Sequence, residues 1–163
     1  MYTLQQHLAF NLWANGKFVE ILKTVDENIF EQEVISSFPT LRKTILHIWD
    51  AEFIWLKRIE GISLSEFPSK HFTGNKDECL NGFLEHSKKF ADYMDAKDKT
   101  FFESKIDFKT LNGDAFSESV EGIIYHVVNH GTFHRGQLVT MMRTLGITNV
   151  PSTDLIRYLR QLI

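Results

Sequence analysis

Gly122-Ile123-Ile124-Tyr125-His126-Val127-Val128-Asn129-His130-Gly131-Thr132-Phe133-His134-Arg135-Gly136-Gln137-Leu138 places three of the chain's seven histidines four residues apart, among apolar residues at helical spacing. In a helix each such step turns about 40° further, so His126, His130 and His134 form one slanting stripe. Ile123, Val127 and Met141 share it. The histidines therefore lie on a face that should point into a core, where an imidazole needs a partner for each nitrogen or loses solvation free energy. A divalent metal ion is a partner that can use several imidazoles at once.

Working outward, Ser117 or Ser119 caps this helix, which is expected to run past Leu145 and stop at Gly146. Before it, Asn112-Gly113 between Ser104–Lys109 and Asp114–Ser117 gives a type I′ hairpin signal, so a small β-hairpin is expected. Three further helices are predicted. Leu4, Leu8, Leu12, Phe18, Val19 and Leu22 mark the first, Tyr2 to about Thr24, with His7, Asn11 and Asn15 in line beside the apolar stripe. These polar groups either face solvent, cross-link helices or line an internal site. Asp26 to Pro39 reads as a connection whose Ser36, Ser37 and Pro39 start the second helix, which runs to about Glu60 and stops at Gly61. A loop, Gly61 to Asn75, leads to the third helix, Lys76 to Asp95, where His71 and His86 sit among charges and read as exposed. After Pro151, Ser152 caps a short last helix, Thr153 to Leu162. The expectation is all-α: a four-helix bundle, up-down-up-down or a close variant, with a hairpin before helix four and a short C-terminal helix.

The second helix is apolar over most of its circumference and leaves a narrow stripe of Lys43, Thr44, His47, Asp50, Ala51, Ile54 and Arg58, which pattern alone makes the wet side. Small Ala51 and polar Thr44 and Asp50 would equally leave room for His47 to reach across a cavity. His47 is the only other histidine inside a strongly apolar helix. It is thus the best third ligand for a pair taken from the histidine stripe, in a site with an open position.

At 163 residues and 19.0 kDa the chain reads as one domain, residues 1–163, with room for a real core. Its 43% hydrophobic and 24% charged residues are ordinary for a soluble globular protein. A formal charge of -3, with no basic run, argues against a nucleic-acid or membrane partner. The single cysteine, Cys79, makes no internal disulfide and suits a reducing cytoplasm. Polar Gln5, Gln6, His7 and Asn11 break any signal-peptide core, and no apolar run reaches membrane length.

The letters also test other histidine-rich classes. A zincin needs glutamate directly after the first histidine of the pair, whereas Val127 follows His126 and Gly131 follows His130. Di-iron carboxylate bundles need Glu-x-x-His, which does not occur. A hemerythrin-like oxo-bridged centre demands more core histidines and bridging carboxylates than these stripes offer, and stays a minor alternative. Periodicity does not choose between the pairs His126/His130 and His130/His134.

His130-Gly131-Thr132-Phe133-His134-Arg135-Gly136-Gln137, then Met142-Arg143-Thr144-Leu145-Gly146 and Asp154-Leu155, resemble the C-terminal signature of the DinB/YfiT-like family. Trp13-Ala14-Asn15 and Leu46-His47-Ile48-Trp49-Asp50-Ala51-Glu52 resemble its first two helices, so the likeness spans nearly the whole chain. The His-x-x-x-His-Arg-Gly-Gln string is its specific part. The resemblance implies a helical bundle, Zn²⁺ or Ni²⁺ as the metal, His47, His130 and His134 as its ligands with His126 left out, and a homodimer. Better understood members of that family include transferases and isomerases that use low-molecular-weight thiols such as bacillithiol, mycothiol or glutathione.

The leading expectation is a metal-dependent thiol S-transferase or hydrolase acting on a small molecule. Asp50, one turn from His47, is a candidate to orient an imidazole or act as base, and Gln137 a candidate to line the cavity. Arg135 points off the stripe and reads as a structural ion pair, with a dimer contact as one place for it. The competing expectations are a non-catalytic ligand-binding or metal-stapled module, and histidines that merely pack.

Overall fold

The chain is described here in a computed structural model over residues 2–162. Four long helices form the body: α1 (Leu4–Lys23), α3 (Leu41–Ile59), α4 (Lys76–Asp95) and α6 (Val120–Thr144). Short helices α2 (Glu27–Phe30), α5 (Lys99–Glu103) and α7 (Leu155–Leu159) sit in the connections and at the C-terminal end. A two-stranded antiparallel hairpin, β1 (Lys105–Lys109) with β2 (Ala115–Ser119), precedes α6. Among the described residues no helix is long and apolar enough to cross a membrane.

The long helices begin where side chains can satisfy their free N–H groups. Thr3 with Gln6 and Asn75 with Glu78 form capping boxes, while Thr40 and Ser119 cap α3 and α6. Thr40, rather than Ser36 or Ser37, therefore starts α3. The C-terminal ends of α3 and α6 are followed by Gly61 and Gly146 at φ +82° and +80°.

Around the bundle, α1 packs on α4, α4 on α3, α3 on α6 and α6 on α1. The apolar core divides into two clusters. One unites Leu8 and Ala14 with Leu56, Phe90, Ile124 and Val128; the other unites Phe18 and Leu22 with Ile45, Leu80, Phe83, Leu138 and Met142. Helices α1 and α6 run from the first cluster to the second, and α3 and α4 run the opposite way. The bundle is thus the up-down-down-up variant. The 16-residue connection between α3 and α4 makes it possible, because it can span the roughly 28 Å of a 19-residue helix.

A layer of buried polar side chains separates the clusters: Asn11 and Asn15 from α1, Glu52 from α3, Ser87 from α4 and Arg135 from α6. Asn11 and Asn15 donate to Glu52 Oε1 at 2.7 and 2.8 Å, and Ser87 donates to Oε2 at 2.6 Å. Arg135 Nη1 donates in turn to Asn11 Oδ1 and Asn15 Oδ1 at 2.8 and 2.7 Å, and Nη2 to Thr132 Oγ1. The carboxylate and guanidinium form no direct ion pair; the two amides stand between them, each oriented by what it faces. Close by, a Cβ at Gly131 would lie 2.9 Å from Arg135 Nη1 and 3.0 Å from Asn11 Oδ1. Of the readings open for Asn11 and Asn15, they cross-link helices. Arg135 is buried inside the protomer and is not available as a dimer contact.

Several local expectations change. The hairpin turn is closed by Gly113 N–H donating to Thr110 O and Thr110 N–H donating to Asp114 O, and only Gly113 has positive φ. A type I′ turn would need positive φ at Asn112 as well. The last helix begins at Leu155, because Ser152 Oγ is engaged with Asp154 rather than with a helical N–H. His86 is buried, not exposed: it lies between Phe83 and Phe90 on the inward face of α4 and stacks on Phe53 at 5.0 Å. The α3 stripe read as wet is largely buried too, since Thr44, Asp50, Ile54 and Arg58 lie under neighbouring segments.

Candidate metal centre

Helix α3 presents His47, and α6 presents His130 and His134 one turn apart, across the groove where the two helices pack. One nitrogen from each imidazole can be chosen so that all three lie within 4.8 Å of one another. His47 Nε2 and His130 Nε2 are 3.0 Å apart. Two nitrogens bound to one ion at about 2.0–2.1 Å, with angles from a right angle to tetrahedral, stand roughly 2.9–3.4 Å apart. The pair already meets that requirement.

The electrostatics favour neutral rings. Burial, helped by His134, lowers the pKa of His47 to about 4, and burial with His134, His47 and His126 lowers that of His130 to about 3. Burial also lowers His134, opposed by its bond to Gln137. Three neutral imidazoles offer lone pairs at pH 7 with no proton to displace. Two facing Nε2 atoms share one hydrogen between them at most, and His130 Nδ1 is sealed from solvent with no partner. A cation placed there would take the Nε2 lone pairs of both rings in place of that single N–H···N bond, so the neutral donor set fits a divalent ion.

Gln137 fixes the third ring. His134 Nδ1 and Gln137 Oε1 are 2.7 Å apart, so an Nδ1–H donated to the amide oxygen leaves Nε2 as the lone-pair nitrogen. The Gln137 amide donates to Ser37 Oγ at 3.3 Å, tying the site to the α2–α3 connection. From that connection Phe38 stacks on His47 with ring centroids 3.9 Å apart, and its edge meets His134. Phe133, 63% exposed, stands against His134 on the outer side. Sequence reasoning missed Ser37 as a site contact and Phe38 altogether, because no periodicity says where an irregular connection folds back.

Asp50 does not reach the histidines. Its Oδ1 accepts from the Ser69 N–H at 2.9 Å and its Oδ2 from Ser69 Oγ, so it anchors the 3₁₀ turn Pro68–His71. Burial raises its pKa while those two bonds lower it. His126 lies outside the convergent group, 5.9 Å from His130 between ring centroids and edge-on to Trp55 at 5.3 Å. His7 packs with Tyr2, Phe10 and Tyr125, and exposed His71 pairs with Glu66. Among the described residues no fourth histidine, cysteine, aspartate or glutamate joins the three.

A family model described as the DinB family matches residues 1–161. The chain belongs to the DinB family. It is 28% identical over 150 residues to Protein DinB of Bacillus subtilis (strain 168), covering 88% of this chain and 86% of that protein. The fold is similar to the crystal structure of a DinB-like protein from Bacillus cereus ATCC 10987, with a TM-score of 0.71 at 20% identity, over 93% of this chain and 99% of that one.

Proposed function

We propose that this DinB-family protein holds a divalent cation, zinc or nickel, on His47, His130 and His134 and works as a thiol S-transferase or hydrolase on a small molecule. The observation that carries the reading is the convergence of three neutral imidazoles from two helices with no fourth side-chain ligand among the described residues. A closed structural site needs four protein ligands, whereas a site for chemistry keeps a position open. Bound there, a divalent cation keeps its full charge and makes water or a thiol a nucleophile near neutral pH.

The chain's own groups do the rest. Gln137 holds the His134 tautomer and ring plane, Phe38 covers one face of His47, and Phe133 gives the outer side an apolar wall. Asp50, held by Ser69, serves in this reading to anchor the 3₁₀ turn. The reading includes a homodimer in solution, and a monomer by light scattering removes that component.

The test is metal content and coordination on protein purified without an affinity tag, by elemental analysis and X-ray absorption, with His47→Ala beside the wild type. About one equivalent on three nitrogens plus exchangeable oxygen, lost in the variant, is expected. A four-protein-ligand site makes the metal a staple, and no metal removes the reading. Thiol-transfer or hydrolytic turnover should vanish in His134→Ala; turnover by metal-free protein refutes the metal-dependent chemistry.

A further inference from the structure

The seam of α3 and α6 that carries the histidines continues beyond them. On α3, Arg58 follows His47 by eleven residues, which brings it back to within about 20° of the same face and roughly 16 Å further along. On the antiparallel α6, His126 lies one turn beyond His130 in the same direction. Beside it opens a cavity of about 280 Å³ lined by Trp55, Glu118, Gly122, Ile123 and His126. A ring-sized group fits this volume.

Arg58 is 8% exposed and packs against Trp55, one of the residues that line that cavity. Its guanidinium lies 4.4 Å from the Trp55 ring centroid and 4.7 Å from that of Phe108 on β1. Among the described residues it forms no ion pair, and its Nε is sealed from solvent without a partner. A buried cation is ordinarily matched by a buried anion, as Arg135 is matched through its asparagines by Glu52. Among the described residues no anion matches Arg58. Glu118, on the same cavity, is exposed and lies beyond ion-pair distance. With aromatic rings beside the guanidinium, the terminal nitrogens remain, in the fork geometry that binds carboxylate or phosphate.

We propose that this end of the α3–α6 seam is an oxyanion subsite: Arg58, packed against Trp55 and Phe108, receives the carboxylate or phosphate of a ligand whose flat apolar portion lies against Trp55 and His126. This rests on the metal-centre reading for the other end of the ligand, so the substrate class becomes an elongated small molecule with an anionic tail. Its reacting group sits at the histidines and its charge about three helical turns away along α3.

The experiment is isothermal titration calorimetry of the protein as purified with benzoate, phenyl phosphate and the neutral isostere benzamide, at fixed ionic strength. One oxyanion probe should bind at least tenfold more tightly than benzamide, and the tighter of the two names the group. Arg58→Gln should erase that preference with metal content unchanged, while Arg58→Lys, which keeps the charge and loses the fork, should retain a fraction of it. Wild-type protein that binds all three equally overturns the proposal even if Arg58→Gln does not fold, and so does a preference that survives in Arg58→Gln. Elemental analysis of the same samples separates the two ideas. Metal-free protein that still discriminates removes the metal centre alone, and fully loaded protein that does not discriminate removes the subsite alone.

Discussion

Replacing Arg135 by methionine keeps much of the side-chain volume and removes the only cation of the polar layer. Glu52 keeps its bonds from Asn11, Asn15 and Ser87, but its buried carboxylate then has no compensating charge. Asn11 Oδ1 and Asn15 Oδ1 lose their donor in the same stroke. A buried acceptor left unpaired costs about 1–3 kcal/mol, and breaking one side of a buried charge pair costs about 3–5 kcal/mol. These figures describe overlapping losses, so about 4 kcal/mol is the expected destabilisation from the same two sources. With a urea m-value of about 2 kcal/mol/M, the unfolding midpoint should fall by about 2 M. Far-ultraviolet circular dichroism during urea titration at pH 7 measures it directly. Adding Glu52→Gln to Arg135→Met should recover part of the loss, because an amide leaves no unpaired charge. A midpoint unchanged or raised in Arg135→Met alone would refute the reasoning, since it would mean that the layer is electrostatically dispensable.

The remaining predictions concern the metal centre and its surroundings. Gln137→Ala removes the acceptor for His134 Nδ1 and should weaken metal binding about 10–100-fold, read by competition with a chromogenic chelator. Because burial holds the folded pKa values of His47 and His130 at about 4 and about 3, below the ordinary value near 6.5, protons should compete with the metal for these two rings only as the pH approaches those values, and affinity measured by chelator competition should change little just below pH 6.5. The stability of the metal-free protein should decline earlier, as the pH falls from about 6.5 toward 4, since the unfolded chain takes up these protons first; thermal melts between pH 7 and pH 4 test the sign. Ser69→Ala takes one bond from the Asp50 carboxylate and should cost about 1.5–3 kcal/mol by urea unfolding, with metal content unchanged; lost metal would return Asp50 to the site.

What was legible in the sequence was what repeats or punctuates. The bounds of α4 follow from Asn75, Glu78 and the inward spacing of Leu80, Phe83 and Phe90, and the stops of α3 and α6 from Gly61 and Gly146. Four- and five-residue helices such as α2 and α5 show no period to read. Asn112-Gly113 located the hairpin, but the turn was set by bonds to Thr110, which no dipeptide rule includes. The α3 stripe misled because pattern reports polarity and not cover: the connection bearing Phe38, the turn bearing Ser69 and the hairpin bearing Phe108 close over it. Glu52 stood unassigned beside the His47 string, since a charge that meets its partners through other helices has no sequence spacing to betray it.

The polar layer also decides which histidines meet. The stripe of His126, His130 and His134 is a ruler with equal divisions, so sliding α6 by one turn along α3, about 5.4 Å, would still set two imidazoles opposite His47. The ligand set by itself tolerates that slip. The layer does not: the same shift would carry Gly131 to where Arg135 now stands, leaving Glu52 without a cation and two asparagine oxygens facing a backbone with nothing to donate. The motif His130-Gly131-Thr132-Phe133-His134-Arg135 thus works as a key with one notch, in which the arginine selects the alignment and the histidines inherit it.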